Sequence, residues 1–371
     1  MITEQAIREL ATQHGDPAIT TVYLDVDGRH RPVRADWEAA FERLADHVRH
    51  LADAGPTKRV VRSVDRDIAR MRQALATDLD RSGMRGIAMF SCSEQGFFEA
   101  VRLPVAVRDE ATVAPSPRIA PLVATLNAQD PVLIVLVDCE RVRLLRMEFG
   151  EVTEVASTVD PVPRAVDTSI ELGSWENHDA EAVRIRLRRA AELVVQTLHG
   201  RPAERLVVGG PAEAVAGLER HMPATVTAKI IGRVQVRVAA SIHEIGDLAR
   251  GVVAAAARQR QANAVEQLRQ RAAEARGGVV GLEQTLKALA DKRVAALFVS
   301  DGFSAPGARC PACGHLGLDV RQCPTCGTTN EEIADIVEAA VEAAVAQRAT
   351  IEFCRETELD LFGSIGAIER Y

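Results

Sequence analysis

Four cysteines, Cys310, Cys313, Cys323 and Cys326, stand in two CPxCG units with nine residues between the second and third thiol. Thiols so placed can serve a redox centre, a catalytic metal, a nucleic-acid-reading finger or a staple on a loop. A CxxC turn directs two sulfurs at one point, the following glycine permits the backbone path of a metal knuckle, and two knuckles complete a tetrahedron. Redox CxxC sites come singly and open a helix, so the pair predicts one structural Zn²⁺ per chain. Four thiolates leave the ion no position for water or substrate, which argues against a catalytic metal. Between Arg309 and Asn330 only Arg309 and Arg321 are basic and His315 is the only aromatic-like ring. That suits phosphate contact poorly, so a staple is expected. The run "TNEE" after it reads as a capping box, Thr329 with Glu332, opening a helix from Glu331 to Arg348.

A second group lies in "SIELGSWENHDAE", read as a polar loop before a helix from Ala180 to Leu198. Trp175, Asn177 and His178 invite a catalytic reading, with His as base and Asn as its orienter. No Cys or Ser nucleophile sits in a glycine-rich elbow nearby, so no catalytic residue is assigned. On an exposed loop Trp175 and His178 can stack on nucleobases while Asn177 bonds their edges; alternatively Trp175 packs back on its own domain. A hydrolase or nuclease would need paired carboxylates for a metal or an activating group for water; Asp138 and Glu140 sit at a strand turn, but two acids in a hairpin turn are ordinary. "VVGGPAEAVAG" lacks the Lys-Ser/Thr of a phosphate loop, so no bound nucleotide is expected.

The elements that must position these residues belong to a chain of 371 residues, long enough for two or three domains, of which three fit best. Hydrophobic residues make up 47% and aromatics only 4%, so Ala, Leu and Val must fill the cores. Residues 1–127 read as α+β: "ITTVYLDV" a strand, Trp37–Leu51 and Val60–Leu79 helices, "GIAMFS" and "GFFEAVRL" a hairpin, closing at the proline-rich "VAPSPRIAPL". Residues 128–240 read as α/β with a mixed sheet, including "RLVVGGP" and "VTAKIIGRVQVRV" as strands. Residues 241–371 begin with a long helix through Arg276 and carry the cysteine insertion at 309–328. The opening "MITEQAIREL" has no signal pattern and no run spans a bilayer, so a cytoplasmic protein with no membrane partner is expected. The formal charge of −7 argues against a DNA coat. Ten acidic and three basic residues from Glu331 onward account for all of it, while "GRHRPVR", "KRVVRSVDRDIARMR" and "RIRLRR" are basic upstream. Partners of opposite character are implied. Helical basic runs can equally be solvated faces, with Arg188 pairing Glu192 and Arg184 pairing Glu181.

The order of these pieces resembles the archaeo-eukaryotic peptide-chain release factor family, which includes Pelota and the bacterial hibernation factor Balon. The resemblance rests on "TVYLDV … GIAMFS … EAVRLP", on "LVVGGP", and above all on "GLEQTLKALADKRVAALFVSD" with the CxxC pair and the terminal "GSIGAIERY". It implies a C-terminal α/β sandwich with a zinc-ribbon insertion, a first domain in the decoding site, a middle domain at the peptidyl-transferase centre and a last domain docking a translational GTPase. Elongation factor Tu leads as that partner, with the ribosomal stalk base as an alternative. The implied ribosomal RNA contacts are Lys58, Arg59 and Arg62 in the first domain and Gly173, Trp175, Asn177, His178, Arg184 and Arg188 in the middle one; Glu331, Glu332 and Asp335 are the implied docking acids. The family's Gly-Gly-Gln is absent from the corresponding "ELGSWENHDAE". The expectation is therefore a non-enzymatic factor in the acceptor site of idle or stalled ribosomes during hibernation or stress. The alternatives are a peptidyl-tRNA hydrolase or release factor using a non-GGQ loop, and an RNA-binding adaptor.

Overall fold

Alternating apolar residues set the first sheet. In the computed structural model, helix α1 (Glu4–Ala11) precedes strand β1 (Ile19–Asp25), helices α2 (Arg34–Asp53) and α3 (Lys58–Ala76), strands β2 (Gly86–Cys92), β3 (Phe97–Leu103) and β4 (Glu110–Ala114), and helix α4 (Ala120–Asn127). The antiparallel order is β3-β2-β1-β4. Val22, Leu24, Ile87 and Met89 face α2 and α3, while Ile19, Tyr23, Ala88 and Phe90 face the opposite core, as the two-residue period of a strand requires. Asp67 of α3 is fully buried. Its carboxyl accepts from Thr20 Oγ1 (2.8 Å), Ser91 Oγ (2.8 Å), Ser93 N (2.7 Å) and Ser93 Oγ, pinning the helix to the sheet.

The structure describes residues 3–54, 57–77, 83–127, 130–138, 140–159, 175–200, 203–319, 321–355 and 358–370. They divide into two units, one of Met1–Asn127 with Gln261–Tyr371 and one of Ala128–Arg260.

The second unit carries β5 (Val132–Val137), β6 (Arg141–Glu148), β7 (Glu151–Val159), α5 (Trp175–Gly200), β8 (Arg205–Gly209), α6 (Ala212–His221), the short α7 (Ala224–Thr227), β9 (Ile230–Val234) and the start of α8 (Ile242–Ala273). The sheet is mixed, in the order β7-β6-β5-β8-β9, with β5, β8 and β9 parallel. Strand β5 is apolar throughout because both its faces are covered: Leu133, Val135 and Val137 pack under α5 and α6, and Val132, Ile134 and Leu136 pack with Ile245 and Ala249 of α8. "VTAKIIGRVQVRV" is strand only over Ile230–Val234; Pro223 precedes a helical turn at Ala224–Thr227, where a fixed φ favours helix entry.

The C-terminal part continues with β10 (Gly278–Val280), α9 (Leu282–Ala290), β11 (Val294–Ser300), β12 (Gly307–Arg309), β13 (Leu316–Gly317), β14 (Glu331–Ile333), α10 (Ile336–Ala346), β15 (Thr350–Cys354) and β16 (Ile365–Glu369). Its main sheet runs β10-β16-β11-β15, and β13-β12-β14 form a small ribbon. Leu297 and Val299 of β11 turn toward α9 and α10, whereas Phe298 meets Val265 and Leu268 of α8, which makes the α/β sandwich. The N-terminal helices α1 and α4 contribute Ile7, Leu10, Leu122 and Val123 to the same core as Ile336, Val337, Ala340 and Val341 of α10. Residues nearly a whole chain length apart thus build one hydrophobic core.

The expected helix from Glu331 is corrected. Glu331–Ile333 is strand β14, paired to Gly307–Arg309, and α10 starts at Ile336 under an Asp335 cap whose side chain accepts from Val337 N and Glu338 N. The ribbon's need for a third strand overrides the Thr329/Glu332 box, and Asp at the cap position satisfies the free amides instead.

Replacing Asp67 by Ala removes the carboxylate acceptor from four hydroxyl and amide donors, those of Thr20, Ser91 and Ser93. The substitution is expected to lower stability by about 3 kcal/mol in urea unfolding followed by circular dichroism.

Candidate functional site

The two CPxCG units fold as matching knuckles between β12 and β14. In one, Gly314 N donates to Cys310 O (2.9 Å) and Cys310 N to His315 O (2.8 Å); in the other, Gly327 N donates to Cys323 O (2.9 Å) and Cys323 N to Thr328 O (2.8 Å). Gly314 and Gly327 have φ of 73° and 74°, a left-handed conformation glycine adopts without steric cost. The Sγ atoms of Cys310 and Cys326 lie 3.4 Å apart and those of Cys313 and Cys323 3.5 Å apart. All four sulfurs fall within 4.8 Å of one another, and the cysteines are free thiols. Four ligands at about 2.3 Å from a tetrahedral ion stand about 3.8 Å apart, so the donor set fits a closed four-sulfur centre. The Thr328 hydroxyl and amide hold the Cys326 thiol down at about 6, whereas Cys313, despite the His315 amide, is pushed up to about 12 by burial and the neighbouring thiols. Without a cation the cluster resists multiple ionisation; a divalent ion relieves that resistance.

The second predicted cluster is not a loop from Trp175 onward. Helix α5 begins at Trp175, so Trp175, Asn177 and His178 lie on helical backbone; Gly173 lies outside the described residues. Glu176, Asp179 and Glu181 were the missed signal, since acids in the first turns complement a helix N-terminus. Further along, Arg184 and Arg188 are exposed, with Arg188 3.3 Å from Glu192 as an i, i+4 pair.

Residues 117–261, which include this helix and its sheet, match the family model of the bacterial archaeo-eukaryotic release factor family 10. Over this segment the chain is release-factor-like. Among solved structures, the archaeal translation termination factor aRF1 is 16% identical, with 100% of this chain and 99% of that one covered and a TM-score of 0.28. Archaeoglobus fulgidus Pelota is 13% identical over 77% of this chain and 79% of its own, with a TM-score of 0.37. S. cerevisiae Dom34 is 9% identical over 77% and 79%, with a TM-score of 0.42. No curated protein matches. Among the described residues no helix is long and apolar enough to cross a membrane.

In the release-factor-like segment the Asp138 carboxylate is spent on its own turn, accepting from Glu140 N and Arg141 N at 2.7 Å each. Gln196 is exposed within α5, on the wall of an open cleft of about 280 Å³ that also holds Asp138, Arg141 and Glu192.

In the N-terminal part, the basic run on α3 is largely neutralised from within. Arg59 meets Asp16 at 2.8 Å, Arg66 meets Glu94 at 2.8 Å and Arg72 meets Glu42 at 2.7 Å, while Arg70 lies 4.9 Å over the Phe98 ring. Lys58 and Arg62 are exposed and have no ion pair among the described residues.

The predicted docking acids also separate. Glu331 and Glu332 are exposed on β14; Asp335 caps α10 and meets Arg118 at 3.1 Å. Arg118 further engages Glu110 at 2.7 Å and Glu338 at 3.3 Å, and Glu338 Oε1 accepts from Ile119 N (2.5 Å) and Ala120 N (3.0 Å). Sequence reasoning missed this cluster. Its signal was Glu338 and Glu342, one turn apart on the otherwise apolar "IVEAAVEAAVA".

Burial opposes the Arg118 charge, yet Glu338, Glu110 and Asp335 outweigh it and raise its pKa. Burial pushes Glu338 up to about 7, against the pull of Arg118 and the two amides. A carboxyl pKa raised from 4.5 in the unfolded chain favours the folded state while protonated. The contribution, on the order of 2 to 3 kcal/mol, is complete below the unfolded pKa and is lost as pH rises through about 7. Glu338→Gln, which keeps an amide-accepting oxygen, is expected to flatten that slope in denaturation measured between these pH values.

Proposed function

We propose that the protein is a ribosome-binding factor that occupies the acceptor site of idle or stalled ribosomes, in hibernation or stress, without hydrolysing peptidyl-tRNA. The match of residues 117–261 to a release-factor family carries this reading, together with a sequence that contains no Gly-Gly-Gln. Release needs a water positioned at the peptidyl-tRNA ester, and this chain offers no Gln on a double-glycine turn for that task.

Ribosomal RNA is contacted by exposed basic side chains of α3 and α5. Lys58 stands in a first helical turn that contains no acid, where the helix dipole disfavours a cation and an anionic partner relieves the cost. Lys58 and Arg62 therefore bind the decoding-site backbone, with Arg59 shared between Asp16 and phosphate. Arg184 and Arg188 follow the backbone near the peptidyl-transferase centre, with Gly173, Trp175, Asn177 and His178 toward nucleobases. Exposed Glu331 and Glu332 form the acidic edge for elongation factor Tu or another translational GTPase. The four thiolates hold one structural Zn²⁺, which stabilises the ribbon and supplies no chemistry at the ribosomal site. The protein acts in the cytoplasm.

Ribosome sedimentation from starved and growing cells tests the reading. Co-migration with whole ribosomes is expected, with Lys58→Glu/Arg62→Glu weakening binding on the order of tenfold and making the log–log salt slope shallower by about 2. Peptide release from pre-loaded complexes above the spontaneous rate would overturn the non-hydrolytic reading. Metal analysis is expected to give one zinc per chain, and Cys313→Ser to lose it and destabilise the ribbon.

A further inference from the structure

The residue before the first knuckle ligand connects the cysteine ribbon to the N-terminal part of the same unit. Arg309 ends β12, and its Nη2 donates to Glu342 Oε2 at 2.5 Å; Glu342 Oε1 accepts from Ser116 Oγ at 2.5 Å. Glu342 is 5% exposed and Ser116 9%, so the carboxylate is largely closed to bulk water, with the Arg309 side chain 18% exposed at its edge. Arg309 is the cation at Glu342. One turn back on α10, Glu338 holds the first amides of α4 and meets Arg118. The segment Ser116 to Ala120 is therefore clamped by two carboxylates of α10, and one of these relies on Arg309 for its counter-charge.

Arg309 is itself placed by the ribbon. Its backbone pairs with Leu316 of β13 on one side and Glu331 of β14 on the other, and Cys310 N donates to His315 O at 2.8 Å. The knuckles fix both neighbouring strands, since β13 follows the first knuckle and β14 the second. If the ribbon unravels, Arg309 leaves register and Glu342 becomes a buried carboxylate without a cation, one turn from Glu338. Breaking a buried pair from one side is strongly destabilising.

We propose that Arg309 is a positioning residue that makes the docking of the N-terminal part depend on the metal. With the four-thiolate site filled, Arg309 neutralises Glu342 and the Ser116 to Ala120 segment stays latched to α10. With the metal removed, the latch opens, and α4 and α1 lose protection while the second unit is unaffected. This rests on the zinc reading above, and the metal assay is scored separately from the latch.

The test is amide hydrogen exchange on the full chain, with zinc quantified on each sample, in four states: as purified, after removal of zinc by a strong chelator, Arg309→Met, and Arg309→Lys. Exchange at residues 116–126 and 4–11 is expected to rise on the order of a hundredfold after chelation and in Arg309→Met. Arg309→Met is expected to keep its zinc, Arg309→Lys to restore most of the protection, and residues 132–137 to stay unchanged throughout. Zinc-loaded Arg309→Met with native exchange at 116–126 would overturn the relay through Arg309. Native exchange after complete zinc removal would overturn the metal dependence. Absence of zinc from the purified protein would overturn the metal reading and with it the metal dependence, while the Arg309→Met comparison still decides the relay through Arg309. Should Arg309→Met fold poorly, Ser116→Ala replaces it: the ribbon and zinc are untouched, and unchanged exchange at 116–126 again overturns the relay.

Discussion

Three carboxylates converge on one half-buried guanidinium. Arg118 lies in a proline-rich stretch that makes no secondary structure of its own until Ala120, and Glu110, Asp335 and Glu338 close around it. The first belongs to β4, the second caps α10 and the third lies on the first turn of α10. Taking one cation and three acids out of water is costly unless the pairs are closely matched, so the geometry tolerates little drift. Burial sets the raised pKa of Glu338, against the pull of Arg118 and the amides of Ile119 and Ala120, and the neighbouring Glu342 adds to the rise. Burial, with Glu338 and Glu110, pushes the Tyr23 hydroxyl well up against the pull of Arg118, and that hydroxyl donates to Arg118 O at 2.6 Å. A strand, a linker and a helix cap are thereby fixed by one set of charges, over which the shared apolar core of α1, α4 and α10 closes.

What the sequence made legible follows the range of the interactions. The knuckles are local: two cysteines, a glycine and a few backbone hydrogen bonds within six residues define each one, so spacing alone revealed them. Strands such as β1, β2, β5 and β11 were legible because their alternation or uniform apolarity has one structural outcome. The Arg118 cluster joins residues 217 and 220 positions apart, and no periodicity marks such a pair. Helix α10 was legible in its apolar body but not at its start, because the choice between Thr329 and Asp335 as cap depends on whether Glu331–Ile333 is claimed by β12. The start of α5 at Trp175 was missed because aromatic and amide residues have weak helix propensity, which outweighed the acids in the reading.

Charge patches read from a sequence overstate what the folded surface offers. Arg29 and Arg31 belong to a run that looks like a basic patch, yet Arg29 pairs with Asp27 at 2.6 Å and Arg31 with Asp109 at 2.5 Å. The Arg29 guanidinium holds the Asp27 carboxyl down at about 2, a sign that the pair is an internal feature of its loop. The acidic C-terminal stretch behaves in the same way. Asp335, Glu338 and Glu342 turn toward Arg118, Ser116 and Arg309, leaving Glu331 and Glu332 as the exposed acids beside them. Net charge thus states how much charge the chain carries, and pairing decides where a partner can meet it.

The division between local and long-range order bears on how the ribbon can influence the rest of its unit. Each knuckle is organised by its own backbone, and few contacts join the two, among them Thr325 Oγ1 to His315 Nδ1 at 3.5 Å, so a shared ligand for the four gathered sulfurs would add the main cross-link. Strands β13 and β14 are two and three residues long, too short to hold register by ladder hydrogen bonds alone. The position of β12 between them, and so of the guanidinium at its end, is set by the least self-sufficient part of the fold. A short ribbon that carries the counter-charge for a buried carboxylate links a weak local structure to a demanding electrostatic one, and the stability of the second can be no greater than the order of the first.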